Sequence, residues 1–252
     1  MATVIVITNQ KGGVGKTTTT AAVATALFSN KKKVLGIDLD PQGNLGFSLG
    51  MDPDSSSTIY DVLTKNVPIH KAIHRTDYCD IIPSNILLSS AELELNVRGR
   101  ELLLKNALEP VKDFYDYIII DTPPALNILT VNAYTAADGL IIPMVPEILS
   151  ILGVAQLKET VDSVRHSFNP ALNVLGILLT KYNSRTLLAR EVKEMAEEIA
   201  RSIGTSVFHT SIRPGVSVAE APAHGLSIYD YAPRSNPARD YKAFVNELLT
   251  KL

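Results

Sequence analysis

Lys11 and Lys16 stand on either side of a glycine cluster in the stretch TNQKGGVGKTTTT, residues 8–20. Cations beside Gly12, Gly13 and Gly15 make a composition suited to phosphate. Glycines let the backbone curl until its N–H groups converge on phosphate oxygens, and a helix that starts just behind them adds a favourable dipole. Lys16 is then placed to neutralise the β- and γ-phosphates of a nucleotide, and the Thr17 hydroxyl to ligate Mg²⁺. The cradle comprises Lys11, Gly12, Gly13, Val14, Gly15, Lys16, Thr17 and Thr18. A strict phosphate loop carries a glycine where Gln10 stands, so KGGVGKT is a deviant form of the pattern. The competing reading is a glycine-rich turn with an accidental Lys-Thr. A strand before, a helix after and an acidic strand downstream count against it.

The acids sit at the ends of apolar runs. Asp38 and Asp40 close KVLGIDLD (33–40), and alternation puts both on one side of a strand. Asp121 closes the isoleucine run of YDYIIIDTPP (115–124). Carboxylates at the C-terminal tips of parallel strands lie where such sheets bind ligands. Asp121 reads as the acid that holds a Mg²⁺-bound water; the alternative is a turn cap in front of Pro123 and Pro124. The histidines (70, 74, 166, 209, 224) are scattered and form no metal pattern, so they read as surface residues.

These residues need an α/β scaffold, and the sequence writes one. The run 3–8 is a strand buried on both faces, and 17–30 an alanine-rich helix. Strands follow at 33–40, 79–84, 115–124, 139–147 and 173–183, with a short one near 206–208. Residues 41–58 read as a loop. TIYDVLTK, PIHKAIH, 98–111 and 150–168 read as helices, and so do 185–203 and 237–251. In 185–203 the residues Leu188, Val192, Met195, Ile199 and Ile203 mark one amphipathic face. Alternating strands and helices predict a mainly parallel sheet with helices on both faces. There is no linker or repeat, so residues 1–252 are expected to form one domain.

Bulk composition narrows the class. The 252 residues are 46% hydrophobic and 20% charged, with a net charge of −2. That is the profile of a globular chain and carries no nucleic-acid signature. From residue 181 on, ten Lys and Arg face eight Asp and Glu, a slight basic excess. Cys79 is the single cysteine, so no intramolecular disulfide or cysteine cage can form. No signal peptide or membrane-length apolar run is present, so the expected location is cytoplasmic.

KGGVGKTTT, GIDLDPQGN and IIIDTPP, in this order, resemble the ParA/Soj partitioning ATPases, a branch of the deviant Walker A group that includes MinD and the nitrogenase iron protein. VPEILSILG, LLTKYN and EAPAHGLSIYDYAPRSNPARDY extend the resemblance over the chain. The sequence is similar to the short form without an N-terminal helix-turn-helix. The resemblance implies a P-loop fold, ATP and Mg²⁺ as cofactors, and a homodimer that sandwiches two ATPs. In it Lys11 reaches into the partner's site, and Lys11, Lys16 and Asp40 serve hydrolysis. Asp38 lies near the Mg²⁺ shell with Thr17 and Asp121. Glu147 touches the partner's ribose, Asn183 the adenine, and Ile212, Arg213 and Pro214 the other edge of the base. Asn183 is also readable as a plain turn residue.

The resemblance further implies non-specific binding of double-stranded DNA by the ATP dimer, at positions matched here by Arg185 and Arg213. Arg190, Lys193, Arg234, Arg239 and Lys242 are candidates to widen that patch, and solvated surface is the alternative. It implies a ParB-like partner or other adaptor that stimulates slow hydrolysis, a cargo such as a plasmid or chromosome origin, and a nucleoid location. The rivals are a MinD-like membrane switch and an ATP-dependent metabolic enzyme of related fold. The end, DYKAFVNELLTKL, is short and weakly basic for a lipid-inserting helix, so no membrane contact is expected.

Overall fold

The computed structural model describes residues 1–51, 57–95 and 97–252. In chain order the elements are β1 (Thr3–Ile7), α1 (Lys16–Ser29), β2 (Val34–Asp38), α2 (Asn44–Ser48), α3 (Ile59–Lys65), β3 (His74–Arg75), β4 (Asp80–Ile82), α4 (Ala91–Glu94) and α5 (Leu103–Leu108). Then come β5 (Tyr117–Asp121), α6 (Ile128–Ala136), β6 (Gly139–Met144), α7 (Ile148–Ser167), β7 (Asn173–Leu179), α8 (Leu187–Ile203), α9 (Ser217–Ala223), α10 (Ile228–Tyr231) and α11 (Asn236–Leu249).

The strands form one sheet in the order β3-β4-β2-β5-β1-β6-β7. Every pairing is parallel except β3 with β4. β1 and β5 are central, and their valines and isoleucines are fully buried, as a sheet covered on both faces requires. α1, α2 and α9–α11 cover one face through Val23, Leu27, Leu45, Tyr229, Tyr241 and Phe244. α3–α8 cover the other through Ile59, Leu104, Leu129, Val154 and Val192. The register has a direct consequence for chemistry. Asp121 pairs with Ile7 on one side and with Asp38 on the other, so two acids and the start of the phosphate loop share the C-terminal edge of the sheet.

Four local expectations change. Residues 41–58 are not all loop: Asn44–Ser48 is a helical turn, while 52–56 lie outside the described residues. PIHKAIH is a 3₁₀ turn at Ile69–Lys71 followed by β3, whose antiparallel pairing to β4 overrides the helical pattern. The strand expected over 33–40 ends at Asp38, so Asp40 lies past β2 in the segment that leads to α2. On α8 the buried stripe is Ala189, Val192, Ala196, Ala200 and Ile203. Leu188 and Met195 stand 47% and 43% exposed, because small alanines set the close-packed face against α7 and β7.

Candidate nucleotide site

The phosphate loop leaves β1 and enters α1. Gly13 (φ 74°) and Gly15 (φ 87°) both adopt left-handed backbone, which a Cβ would strain, and Gly15 caps α1. Lys16 is the first residue of that helix and only 6% exposed. The one hydrogen-bond partner of its ammonium among the described residues is the Lys11 carbonyl, at 3.3 Å from Nζ. Burial lowers its pKa, and the charges of Asp121 and Asp40 oppose that shift. A buried cation with a single long contact, at a helix N-terminus and beside open space, fits a bound phosphate.

Asp121 is fully buried. It accepts hydrogen bonds from Thr17 Oγ1 at 2.6 Å and Thr20 Oγ1 at 3.2 Å. Burial pushes its pKa up, against the bond from Thr17 and the charge of Lys16. Hydroxyl and carboxylate therefore already touch where both are wanted around one divalent ion. Mg²⁺ keeps several waters and needs few protein ligands, so a Thr–Asp pair suits it. Among the described residues no group of three His, Cys, Asp or Glu forms a denser metal cage.

Asp38 is fully buried as well, and both of its oxygens are used. They accept the backbone N–H groups of Asp40 and Leu45, each at 2.9 Å. Burial, and after it the charge of Asp121, raises its pKa well above the usual carboxylate range. Asp38 thus folds the loop 39–45 and leads α2, and on the sheet it stands beside Asp121. Asp40 is 9% exposed, accepts the Gln42 N–H at 3.0 Å and lines the cleft.

That cleft has a volume of about 840 Å³. Gly12, Gly13, Gly15, Lys16, Thr17 and Thr18 form its floor, and Asp40 and Pro124 one side. Ile212, Arg213 and Pro214 line it as well. Asn183 does not line it. Its Oδ1 accepts the Arg185 N–H at 3.2 Å and its carbonyl the Thr186 N–H, the turn that opens α8. Lys11 turns towards β6 and α7 instead of the cleft. Its backbone N–H meets Asn9 Oδ1 at 3.0 Å, and Nζ donates to Glu147 and, at 3.3 Å, to Ser150 Oγ.

The two DNA candidates differ. Arg185 is exposed and makes no ion pair among the described residues. Arg213 is clamped: Nε and Nη2 reach the two Asp240 oxygens at 2.9 and 2.6 Å, and its backbone N–H adds a third bond at 3.0 Å. Sequence reasoning also missed four participants. Thr180, Lys181, Asn44 and Tyr241 line the cleft, and Lys181 Nζ donates to the Gly13 carbonyl at 3.0 Å. LLTKYN was already singled out for its asparagine; the lysine beside it carried no pattern of its own.

Comparison with known proteins places this arrangement. A family model described as an AAA domain matches residues 2–174. The chain is 42% identical to the sporulation initiation inhibitor protein Soj of Bacillus subtilis, over 98% of each chain. It is 40% identical to the chromosome partitioning protein ParA of Myxococcus xanthus, over 98% of this chain and 88% of that one. The chain belongs to the ParA/Soj family of partitioning ATPases. Among solved structures, a Mycobacterium smegmatis protein described as cobyrinic acid a,c-diamide synthase, with bound ATP analogue and magnesium, superposes with a TM-score of 0.86. It is 38% identical over 99% of this chain and 95% of that one. The fold is that of ParA-like P-loop NTPases, a mainly parallel sheet with helices on both faces, as the family resemblance implied. No helix among the described residues is long and apolar enough to cross a membrane.

Proposed function

We propose that this chain is an ATP- and Mg²⁺-dependent dimerising ATPase that binds double-stranded DNA without sequence preference and drives partition or positioning of a cargo. The observation that carries the reading is the convergence of Lys16, Thr17 and Asp40 on one cleft at the C-terminal edge of the sheet, with Asp121 buried behind it and bonded to Thr17. Lys16 and the loop amides would hold the phosphates, and Thr17 with Asp121 the Mg²⁺ shell, Asp38 supporting from behind. Mg²⁺ supplies charge neutralisation between phosphate oxygens. Asp40, at the cleft wall, orients the attacking water, and Ile212, Arg213 and Pro214 flank the base.

In this reading residues 1–252 act as one unit, and two copies pair face to face. Pressing two polyphosphates together demands extra cations at the interface. Lys11 supplies one in trans, and Glu147 follows it across to the partner's ribose. The ATP dimer sits on nucleoid DNA through Arg185 and its neighbours. A ParB-like or other adaptor protein stimulates a slow hydrolysis that releases it. The reading places the protein in the cytoplasm, associated with the nucleoid and not with membrane.

One experiment tests the whole reading and its main rival. ATP turnover is measured with Mg²⁺ alone, with duplex DNA, with liposomes, and with small carboxylic acids plus an amine donor. DNA-stimulated turnover by an ATP-dependent dimer is the expected outcome. Stimulation by a small acid alone points instead to a metabolic enzyme, which the likeness to the Mycobacterium smegmatis structure makes the second reading. Stimulation by liposomes alone points to a membrane switch.

A further inference from the structure

Lys181 stands at the end of β7 with φ 49°, left-handed backbone in a residue that has a Cβ. Such a conformation persists only where its surroundings fix it, and it gathers at ligand-holding segments. Here both neighbours are fixed. The Thr180 N–H donates to the Met144 carbonyl at 2.8 Å, and the Tyr182 N–H to the Ile212 carbonyl at 2.9 Å. The resulting turn sends two side chains back onto the phosphate loop. Thr180 Oγ1, buried, donates to the Val14 carbonyl at 2.7 Å. Lys181 Nζ donates to the Gly13 carbonyl at 3.0 Å. A third carbonyl, that of Lys11, is held by Lys16.

In a planar trans peptide the C=O of one residue and the N–H of the next point in opposite directions. Holding the Gly13 carbonyl therefore sets the Val14 N–H, and holding the Val14 carbonyl sets the Gly15 N–H. Gly13 and Gly15 have the most freedom to turn these planes, so external anchors matter most there. We propose that Lys181, with Thr180, is a positioning residue that holds the peptide planes of Gly13 and Val14 so that the Val14 and Gly15 amides are ordered for nucleotide phosphates before the nucleotide arrives. The proposal rests on the nucleotide-binding reading of the cleft. The Gly13–Val14 plane has the freer anchor, because Lys181 is exposed and its bond lies at the cleft wall, whereas the Thr180 bond is buried.

The test is Lys181→Met, with Lys181→Arg as the conservative variant and Mg²⁺–ADP as the probe, so that dimerisation does not enter. Calorimetry on the parent comes first. A parent that fails to bind ADP overturns the nucleotide reading itself. Given parent binding, Lys181→Met is expected to weaken ADP about tenfold, the loss that follows when a charged hydrogen-bond donor is removed. Lys181→Arg should stay within about threefold, because its fork can still reach the carbonyl. ADP affinity unchanged in Lys181→Met overturns the proposal and leaves the nucleotide reading intact. The decisive readout is amide hydrogen exchange across residues 10–18 in nucleotide-free protein. It should quicken in Lys181→Met and return to the parent rate in Lys181→Arg. Weaker ADP binding with unchanged exchange makes Lys181 a direct phosphate ligand and overturns the positioning role.

Discussion

Lys11 and Glu147, 136 positions apart, form an ion pair within one chain, and Ser150 is the lysine's second partner. These are the residues proposed to cross to a partner subunit, so the single chain holds them against each other. The pair does not forbid the crossing. Glu147 is 61% exposed and Lys11 25%, and an ion pair in such water-accessible surroundings is worth under about 1 kcal/mol. Several phosphate charges brought near by a second subunit outweigh it.

Lys11→Ala should therefore leave the fold almost untouched, with a thermal midpoint within about 3 °C of the parent. ATP should still bind, because Lys16 and the loop amides remain. The ATP-dependent dimer should disappear in light scattering. A dimer of parental strength in the variant would remove the trans role.

Asp40 is expected to serve hydrolysis more than binding. Its carboxylate borders the cleft and, among the described residues, is tied only to the Gln42 N–H, leaving its other oxygen for a water. Asp40→Ala should hold ATP within about threefold of the parent while turnover falls roughly 100-fold, the usual range for losing a group that manages a reacting proton. The ATP dimer should then persist on DNA. Parental turnover would take Asp40 out of catalysis.

Arg185 and Arg213 separate in a salt titration of DNA affinity with a non-hydrolysable ATP analogue. A two-fold dimer presents each contact twice, and each phosphate neutralised contributes about −0.9 to the slope of log K against log salt. Arg185→Ala should flatten the slope by about 1.8, on unrelated duplexes alike. Arg213→Ala should change it by less than about 0.9, because Asp240 already takes that guanidinium in a bidentate pair. Equal effects would mean that the Arg213–Asp240 pair opens on DNA.

What was readable beforehand follows from how local each signal is. The loop, its helix and the acids Asp38 and Asp121 are short-range patterns, and the two acids close β2 and β5 as read, whereas Asp40 lies two residues past the end of β2. The parallel sheet followed from alternation alone, since buried β-branched runs such as Val4–Ile7 have few other uses. The buried face of α8 was read only in part: Val192 and Ile203 lie on it, but alanines carry the rest of the contact, and a count of large apolar residues does not weigh them. Lys181 was out of reach for a different reason. Its role depends on a left-handed backbone angle and on a carbonyl 168 positions away, neither of which leaves a local trace. The same holds for the Arg213–Asp240 clamp, which changes the worth of a charge that the sequence counted as free.

Glu247 offers a test of how the cleft wall is held. It projects from α11 and accepts the backbone N–H groups of His209 at 2.7 Å and Thr210 at 2.9 Å, just ahead of Ile212, Arg213 and Pro214. Partial burial works to raise its carboxyl pKa, but the bonds from Thr210 and His209 outweigh burial and hold it below the usual value. A carboxyl depressed in the folded state stabilises the protein above its unfolded pKa, and that contribution is lost as pH falls through the folded one. Glu247→Gln keeps the shape and removes the charge. At pH 7 it should cost about 1 kcal/mol, the worth of charged hydrogen bonds discounted for solvent exposure, and lower the thermal midpoint by about 2–4 °C. The deficit should shrink as pH falls below the usual glutamate range, where the parent also becomes neutral. Urea unfolding of both proteins at neutral and acid pH reads the difference directly. A deficit that stays constant across this range would assign Glu247 to packing, and the charge would have no part in fixing the wall.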